Sequence, residues 1–190
     1  MPFESTSGGP DRSVVIAWGS STGYTEEVAT SLHEKLDGIS DRIVDIADIE
    51  PPDLLEYDVL LIGISTWHVG ELQDDWDHCF DELADLDFSG KLVAFFGCGD
   101  ADGYPDNFQD AMGILWKRLE EQGAKLMGQW PIEGYDFLES EALTEDGKHF
   151  VGLAIDEHNQ DELTEERVDR WCDQIQKEMV TILDSEAVPA

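Results

Sequence analysis

Basic residues are scarce in this chain, with 11 Lys and Arg against 44 Asp and Glu in 190 residues, so the formal net charge is −33. Neutralising nucleic-acid phosphates requires clustered Lys and Arg, and the composition therefore excludes ordinary DNA or RNA binding. It also disfavours docking on anionic membranes. Because acidic residues lie on nearly every predicted surface segment, we expect an adaptation to high internal salt. Steering of a basic partner protein is the alternative, and both can hold together.

Cysteines and long apolar runs are also few. Cys79, Cys98 and Cys172 are odd in number, widely spaced and without a C-x-x-C pair, which predicts reduced thiols rather than a disulfide framework. The longest apolar runs, such as Val59–Ile64 and Leu92–Phe96, are too short to cross a bilayer. The polar N-terminal segment lacks the pattern of a signal peptide, so we expect a cytoplasmic protein without membrane insertion. No metal-ligand spacing or catalytic carboxylate pair stands out.

The chain does contain an alternation of apolar runs with helix-period segments, which predicts parallel strands joined by crossover helices. We expect one α/β domain over residues 13–184, between tails at 1–12 and 185–190. A doubly wound sheet of five parallel strands, with helices on both faces, places its ligand crevice beyond the carboxyl ends of the strands. The predicted strands are Ser13–Trp18, Arg42–Ile46, Tyr57–Ile64, Lys91–Gly97, and a fifth that starts at Lys125–Trp130 and, after an interruption at 131–148, resumes at His149–Ile155.

Helix boundaries follow from capping residues. A helix is expected from about Gly70 to Leu83. Pro105 fits the first turn of the next helix, and Gly123 is well placed to end it. Thr164 is the expected cap of the last helix.

The first predicted strand leads into a hydroxyl-rich loop, Gly19-Ser20-Ser21-Thr22-Gly23-Tyr24-Thr25, before a helix. Backbone N–H groups at a helix N-terminus, together with hydroxyl donors, are suited to a phosphate, and Gly23 lets the backbone wrap closely around it. Tyr24 stands where the P-loop pattern requires Lys, and no G-x-G-x-x-G fingerprint is present, which argues against an ATPase. For this loop alone, a plain Ser/Thr helix cap is the alternative interpretation.

Two more loops at the same edge each offer one aromatic side chain. The third strand ends in Ser65-Thr66-Trp67-His68-Val69-Gly70, and the fourth ends in Gly97-Cys98-Gly99-Asp100-Ala101-Asp102-Gly103-Tyr104. A single loop aromatic is usually a packing residue. Two aromatics facing a phosphate loop can sandwich a planar heterocycle by offset stacking.

With these three loops in order, the sequence resembles the flavodoxin family, long-chain type. The family's phosphate loop, T/S-x-T-G-x-T, reads here as residues 20–25, its Trp-bearing loop as residues 66–72 and its Tyr-bearing loop as residues 99–108. The interrupted fifth strand is similar to that of the long-chain subgroup. The resemblance implies the flavodoxin-like strand order 2-1-3-4-5.

The resemblance also implies a low-potential one-electron carrier, rather than a stand-alone enzyme, that binds FMN non-covalently and cycles between semiquinone and hydroquinone. Trp67 and Tyr104 would flank the isoalloxazine ring, the His68–Val69 backbone would face flavin N5, and Thr66 and Asp156 would serve the ribityl chain. The backbone around residues 98–102 would meet the pyrimidine edge. The implied cofactor-binding residues are Ser20, Ser21, Thr22, Gly23, Tyr24, Thr25, Thr66, Trp67, His68, Val69, Gly70, Cys98, Gly99, Asp100, Asp102, Tyr104 and Asp156.

Two positions depart from the family pattern. His68 follows Trp67, where similar long-chain proteins often carry Asn. His158 stands near the expected flavin rim, where Asp is common. Either can change the redox potential or its pH dependence.

The resemblance implies a monomer that docks on basic redox partner proteins such as ferredoxin–NADP reductase. The alternative is a flavoenzyme of the same fold, an FMN-dependent NAD(P)H:quinone reductase, which would need a pocket for a second substrate. A flavin-free signalling domain of the receiver type is disfavoured, because the first strand ends in Trp18-Gly19-Ser20 and offers no Asp for phosphorylation.

Overall fold

The structure, a computed structural model, describes residues 12–186. The predicted N-terminal tail therefore lies, except for Arg12, outside the described residues. The strands are β1 (Val14–Trp18), β2 (Arg42–Asp45), β3 (Val59–Trp67), β4 (Glu71–Leu72), β5 (Leu92–Cys98), β6 (Lys125–Leu126), β7 (Trp130–Pro131), β8 (His149–Phe150) and β9 (Gly152–Ile155). The α-helices are α1 (Tyr24–Lys35), α2 (Asp74–Leu83), α3 (Asp110–Glu121) and α4 (Thr164–Glu186). Helix α4 thus includes the first two residues of the predicted C-terminal tail.

The central sheet has the order β2-β1-β3-β5, and both β6 and β9 pair with β5 on its other side. All of these pairs are parallel. Strand β6 pairs with the first half of β5 and β9 with the second half, so the two share one strand position that an insert divides. The doubly wound fold, its strand order and the interrupted fifth strand are confirmed.

Strands β1, β3 and β5 form the centre of the core. Every residue of β5 is buried, as are the first six residues of β3 and the first four of β1. Near-continuous apolar runs of this kind are typical of parallel strands covered on both faces. Helix α1 packs beside α4, whereas α3 packs beside α2 and against β3 and β5. Two helical layers therefore enclose the sheet.

The insert after β6 contains a short antiparallel strand pair and its own aromatic packing. Only Lys125–Leu126 pairs with β5, so the predicted strand to Trp130 is wrong in its second half; Trp130–Pro131 instead pairs antiparallel with His149–Phe150. The reason is an aromatic cluster of the insert. The rings of Tyr135 and Phe137 lie within 5.2–5.8 Å of those of Phe108 and Phe150. This packing fastens the insert next to the Tyr-bearing loop.

The predicted start of α3 is wrong, because Pro105 lies in a turn and the helix begins at Asp110. Gln109 precedes the helix with a φ of 65° and donates from Nε2 to the Ile155 carbonyl oxygen at 3.1 Å. This contact to β9 is invisible in the local sequence. The predicted end is confirmed, since Gly123 follows α3 with a φ of 92°.

Two further helix starts differ from expectation. Helix α2 begins at Asp74 rather than near Gly70, because Glu71–Leu72 pairs with the end of β3 and Gln73 caps the helix by accepting from Asp75 N. Thr164 does not cap α4. It is the first residue of that helix, entered directly from a 3-10 turn, and its buried Oγ1 has no hydrogen-bond partner among the described residues.

Within residues 12–186, Cys79, Cys98 and Cys172 are free thiols, which confirms that prediction. No helix in this part of the chain is long and apolar enough to cross a membrane. Nor do its His, Cys, Asp and Glu side chains form a cluster that could hold a metal ion.

Candidate functional site

The loops that follow β1, β3, β5 and β9 meet at the carboxyl edge of the sheet and enclose a cavity of about 290 Å³. Ligand pockets occupy roughly 300–1,000 Å³, so a cofactor-sized molecule would fill this cavity and protrude from it. Most of the predicted cofactor-binding residues line it. They are Thr22, Tyr24, Thr25, Thr66, Trp67, His68, Cys98, Gly99, Asp100 and Tyr104.

The hydroxyl-rich loop leaves the N-terminus of α1 without a side-chain cap. Gly23 takes a φ of 95° just before the helix, and no side chain there accepts from the first helical N–H groups. Ser20 Oγ instead accepts from Gly23 N at 3.0 Å and braces the loop. The plain-cap interpretation therefore does not describe this loop, and the free N–H groups at the positive end of α1 are available to an anion.

Thr25 is the clearest indication that this end of the cavity suits an anion. Its side chain is fully buried and lines the cavity, and its Oγ1 has no hydrogen-bond partner among the described residues, apart from the weak thiol of the adjacent Cys98. A buried hydroxyl without a partner is costly, and a phosphate oxygen at this position would satisfy it. The donor set of this end of the cavity consequently fits the phosphate of FMN.

Trp67 forms one wall of the cavity at the end of β3. Its indole Nε1 donates to Ser65 Oγ at 2.9 Å, which fixes the ring orientation. The following turn holds His68 at a φ of 46° and Gly70 at 83°. A Cβ on Gly70 would lie 2.6 Å from Asp110 Oδ2, so this turn fits closely against α3. The Trp67 wall is thus held by rigid elements on both sides.

Thr66 also helps to hold the end of β3 against α3. Its Oγ1 accepts from Ala111 N at 3.1 Å, which ties the end of β3 to the first turn of α3. The hydroxyl lines the cavity but already has this partner. Val69, by contrast, is 74% exposed and is not among the residues that line the cavity.

Tyr104 forms the other wall and is 49% exposed. Its loop is held by Asp100, whose Oδ1 accepts from Gly103 N at 2.8 Å and from Asn159 Nδ2 at 3.0 Å. Partial burial pushes the pKa of Asp100 up, but these hydrogen bonds and the nearby His158 outweigh it, so the pKa lies below its ordinary value. Asp100 therefore stays charged and continues to accept the hydrogen bonds that hold the Tyr-bearing loop.

Asp156 lies beneath the Tyr-bearing loop rather than in the cavity wall. It is 1% exposed, and its carboxylate accepts from Ala101 N at 3.2 Å, from Asn159 N at 3.2 Å and from Asn159 Nδ2 at 2.9–3.0 Å. Asp156 therefore holds the Tyr-bearing loop and the β9–α4 loop together.

Seven of the predicted cofactor-binding residues do not line the cavity. They are Val69, Asp156, Ser20, Ser21, Gly23, Gly70 and Asp102.

Four lining residues were absent from the predicted set: Ser65, Asn107, Glu157 and His158. Ser65 and Glu157 follow the same rule as the predicted residues, because they lie at the carboxyl ends of β3 and β9. Asn107 belongs to the loop that the resemblance had already covered. His158 is solvent-exposed at the opening of the cavity and contacts the Tyr24 ring; the resemblance singled out this position but did not include it among the cofactor-binding residues.

The cavity is poor in positive charge and holds no activated nucleophile. No Lys or Arg of residues 12–186 lines it; Asp100, Glu157, His68 and His158 are its ionisable side chains besides Tyr24, Tyr104 and the Cys98 thiol. Burial raises the pKa of the Cys98 thiol to about 12, against a weaker opposing effect from the Thr25 hydroxyl. The thiol therefore stays protonated and unreactive at neutral pH. The site can hold an anion and a flat ring, and its thiol is not a nucleophile at neutral pH.

Comparison with known proteins agrees with this geometry. Residues 16–171 match the family model described as flavodoxin. A flavodoxin of Synechococcus elongatus is 49% identical over 166 residues, which cover 86% of this chain and 95% of the relative. Flavodoxin 1 of Escherichia coli (strain K12) is 48% identical over 164 residues, which cover 86% of this chain and 93% of the relative.

Solved structures of flavodoxins also resemble this chain. A crystal structure of Fusobacterium nucleatum flavodoxin bound to flavin mononucleotide has a TM-score of 0.82 to this chain at 26% sequence identity. The match covers 88% of this chain and 98% of that protein.

Proposed function

This chain belongs to the flavodoxin family and is an FMN-binding electron carrier, and from that premise we propose that the cavity between Trp67 and Tyr104 is its FMN site. The phosphate would lie at the N-terminus of α1, and the flavin ring would lie between the two aromatic walls. The ring edge would face the exposed rim of the cavity.

One observation carries this assignment. Thr25 Oγ1 and the uncapped N–H groups of α1 are donors without acceptors, and they lie in the same cavity as the two aromatic walls. Separate purposes for the anion site and the ring site would require two ligands in one small cavity. FMN satisfies both with a single molecule.

Bound FMN supplies the redox chemistry, and the chain supplies binding and electrostatics. Trp67 and Tyr104 would hold the ring by stacking and exclude water from its faces. The carboxylates of Asp100 and Glu157, in a chain of charge −33, disfavour further negative charge on the bound group. We therefore propose a low reduction potential for the step that produces the fully reduced flavin.

Flavodoxins exchange electrons with partner proteins, and the finer assignment of the partner is a proposal. We propose a basic partner of the ferredoxin–NADP reductase type. Support comes from the exposed apolar groups Val69 and Tyr104 beside the cavity and from the absence of Lys and Arg in its loops at residues 65–73 and 98–109. Such a rim attracts a positively charged protein. We further propose that the protein acts as a monomer and that it works in the cytoplasm, where reducing conditions keep cysteines such as its three as free thiols.

The site assignment is tested by FMN titration of the apoprotein. We expect one FMN per chain, with quenching of flavin fluorescence, and a Trp67→Ala variant should bind FMN more weakly than a Trp130→Ala variant, whose indole lies outside the cavity. Equal losses in the two variants would overturn the assignment. Turnover of a quinone with NAD(P)H in the absence of any separate reductase would instead favour the flavoenzyme alternative.

A further inference from the structure

The phosphate end of the cavity has an unusual electrostatic problem. FMN brings close to two negative charges at neutral pH into a protein of charge −33, and no Lys or Arg of the described residues lines the cavity. Neutral donors at the helix N-terminus supply only partial charges. A side chain able to carry a full positive charge near this end would therefore favour phosphate binding.

His158 is placed to do this. Its ring lies 5.8 Å from the ring of Tyr24 at an interplanar angle of 76°, an edge-to-face contact. Tyr24 is the first residue of α1 and neighbours Thr25, whose unpaired hydroxyl marks the anion position. Both rings line the same cavity as Thr22 and Thr25. The β9–α4 loop thus presents an imidazole to the phosphate loop.

We propose that His158, held against Tyr24, is a positioning residue that favours FMN over flavins without a phosphate, and that it does so most strongly when its imidazole is protonated. This inference rests on the proposed FMN site. His68 and His158 are the side chains of the described cavity lining that can carry a full positive charge, and His158 is the one that contacts Tyr24 at the start of α1. Only the protonated imidazole carries this charge, so the preference should weaken as the pH rises.

The charged groups around His158 determine the size of the effect. Asp100 of the β5–α3 loop lies close enough for its charge to interact with His158, Glu157 precedes His158 on the same loop and lines the cavity, and Tyr24 of α1 contacts the imidazole edge to face. Both carboxylates repel a phosphate, so a protonated imidazole beside them also offsets that repulsion. His158 is solvent-exposed, and the attraction is therefore modest, of the order found for surface charge pairs.

The test compares FMN with riboflavin, which lacks the phosphate, in the wild-type protein and in His158→Asn at pH 6 and pH 8. Dissociation constants come from quenching of flavin fluorescence at one fixed ionic strength at which the protein is folded. At pH 6 we expect the substitution to weaken FMN binding about fivefold. At pH 8 the loss should be below about twofold, and riboflavin binding should change by less than about twofold at both pH values.

Two variants serve as controls. His149→Asn removes a histidine outside the cavity and should leave both affinities unchanged. His68→Asn removes the histidine next to Trp67 at the ring end, and it should not change the ratio of FMN to riboflavin affinity. Because the FMN phosphate itself titrates near pH 6, only the ratio between wild-type protein and variant is interpreted.

Equal weakening of FMN and riboflavin in His158→Asn would overturn the proposal, since it would reduce His158 to a packing residue. A pH-independent loss or an unchanged FMN affinity would overturn it as well. Failure of the wild-type protein to bind FMN would contradict the proposed site itself, so the two failures are distinguishable.

Discussion

The two edges of the central sheet differ in charge. At the carboxyl edge, the loops at residues 19–27, 65–73, 98–109 and 156–163 contain no Lys or Arg. At the amino edge, Arg42 and Lys125 begin β2 and β6, Lys91 immediately precedes β5, and Lys35 ends α1. The few cations of the chain are therefore concentrated away from the cavity.

Helix polarity explains part of this difference. Crossover helices begin at the carboxyl edge and end at the amino edge, so their positive dipole ends point to the cavity and their negative ends to the far side. Cations are stabilised at helix C-termini, where Lys35 lies. Anion binding at the carboxyl edge can then be left to neutral donors. Because no cation there competes for a partner, the bare acidic rim stays attractive to basic proteins.

Arg167 and Arg170 lie in the first half of α4, and both pack against aromatic rings of the insert. Arg167 is 6% exposed, stacks 4.2 Å above the Tyr135 ring and donates to Gln160 Oε1. Arg170 lies over the Trp130 ring and near Glu166. They stabilise the insert on α4 and do not line the cavity.

The largest expected effect is a loss of FMN affinity, and it tests whether neutral donors hold the phosphate at the carboxyl edge. Thr25→Val removes the unpaired hydroxyl at the carboxyl edge, and we expect FMN affinity to fall about 10- to 100-fold, or about 1.5–3 kcal/mol, because the phosphate loses a donor in a buried site. Riboflavin affinity should be unchanged. Fluorescence titration measures both. Thr30→Val, at an exposed position of the same helix, is the control and should have no effect; a comparable loss there would contradict the assignment.

The second prediction concerns the rigidity of the carboxyl edge. Gly70→Ala should lower the unfolding free energy of the apoprotein by about 2 kcal/mol, because φ is 83° and the new Cβ would meet Asp110 Oδ2 at 2.6 Å. Gly147→Ala, with a φ of 64° and no atom within 4 Å, should cost only about 1 kcal/mol. Urea denaturation gives both values. Equal costs would show that the Trp67 turn is not held against α3.

The third prediction tests whether water is excluded from the Cys98 thiol in the cavity lining. The folded pKa of Cys98 is raised to about 12 from 9.0, so its contribution to stability is complete below pH 9 and is lost as pH rises towards 12. By pH 10 the loss should reach about 1 kcal/mol. Cys98→Ala should show a shallower decline in unfolding free energy between pH 9 and pH 10 than the wild-type protein. An identical slope would mean that water reaches this thiol. Cys79 and Cys172, each raised to about 11, contribute to the slope that is left.

The smallest expected effect is on the rate of association with a partner protein, which should depend on charge at the carboxyl edge more than on charge at the amino edge. Asp102→Asn at the carboxyl edge should slow association with a basic redox partner by about twofold, because an exposed rim charge acts mainly on the association rate. Lys91→Gln at the amino edge should leave the rate unchanged or change it less. Stopped-flow mixing at low ionic strength measures both rates. Similar slowing by both variants would show that only total charge matters, and the difference should disappear in 1 M salt.

Adaptation to high salt stays a prediction, since charge alone supports it. Both edges carry abundant acids, and the charge difference described above concerns where the cations lie. Measuring the unfolding free energy against salt concentration would separate stabilisation of the whole fold from steering at one edge.

Local pattern predicted the strands well where burial was uniform, as in β1, β3 and β5. It failed where a distant contact decides. Gln109 delays the start of α3 because its side chain bonds to β9, and Trp130 leaves the sheet because it pairs with Phe150. The site shows the same division. The lining by Thr22, Thr25, Trp67 and Tyr104 follows from loop position, whereas the placement of Asp156 under its loop depends on partners far along the chain.

The sequence by itself determined the order of strands and helices, the edge at which the cavity lies and the neutral, hydroxyl-rich character of its phosphate end, because periodicity and composition are local properties. Only the tertiary structure decided which of those residues face the cavity, that Thr25 is left with an unpaired hydroxyl, and that His158 meets Tyr24. Those outcomes depend on contacts between segments that are far apart in the chain, such as Tyr24 and His158, and their geometry is set by the packing of the whole sheet and its two helical layers.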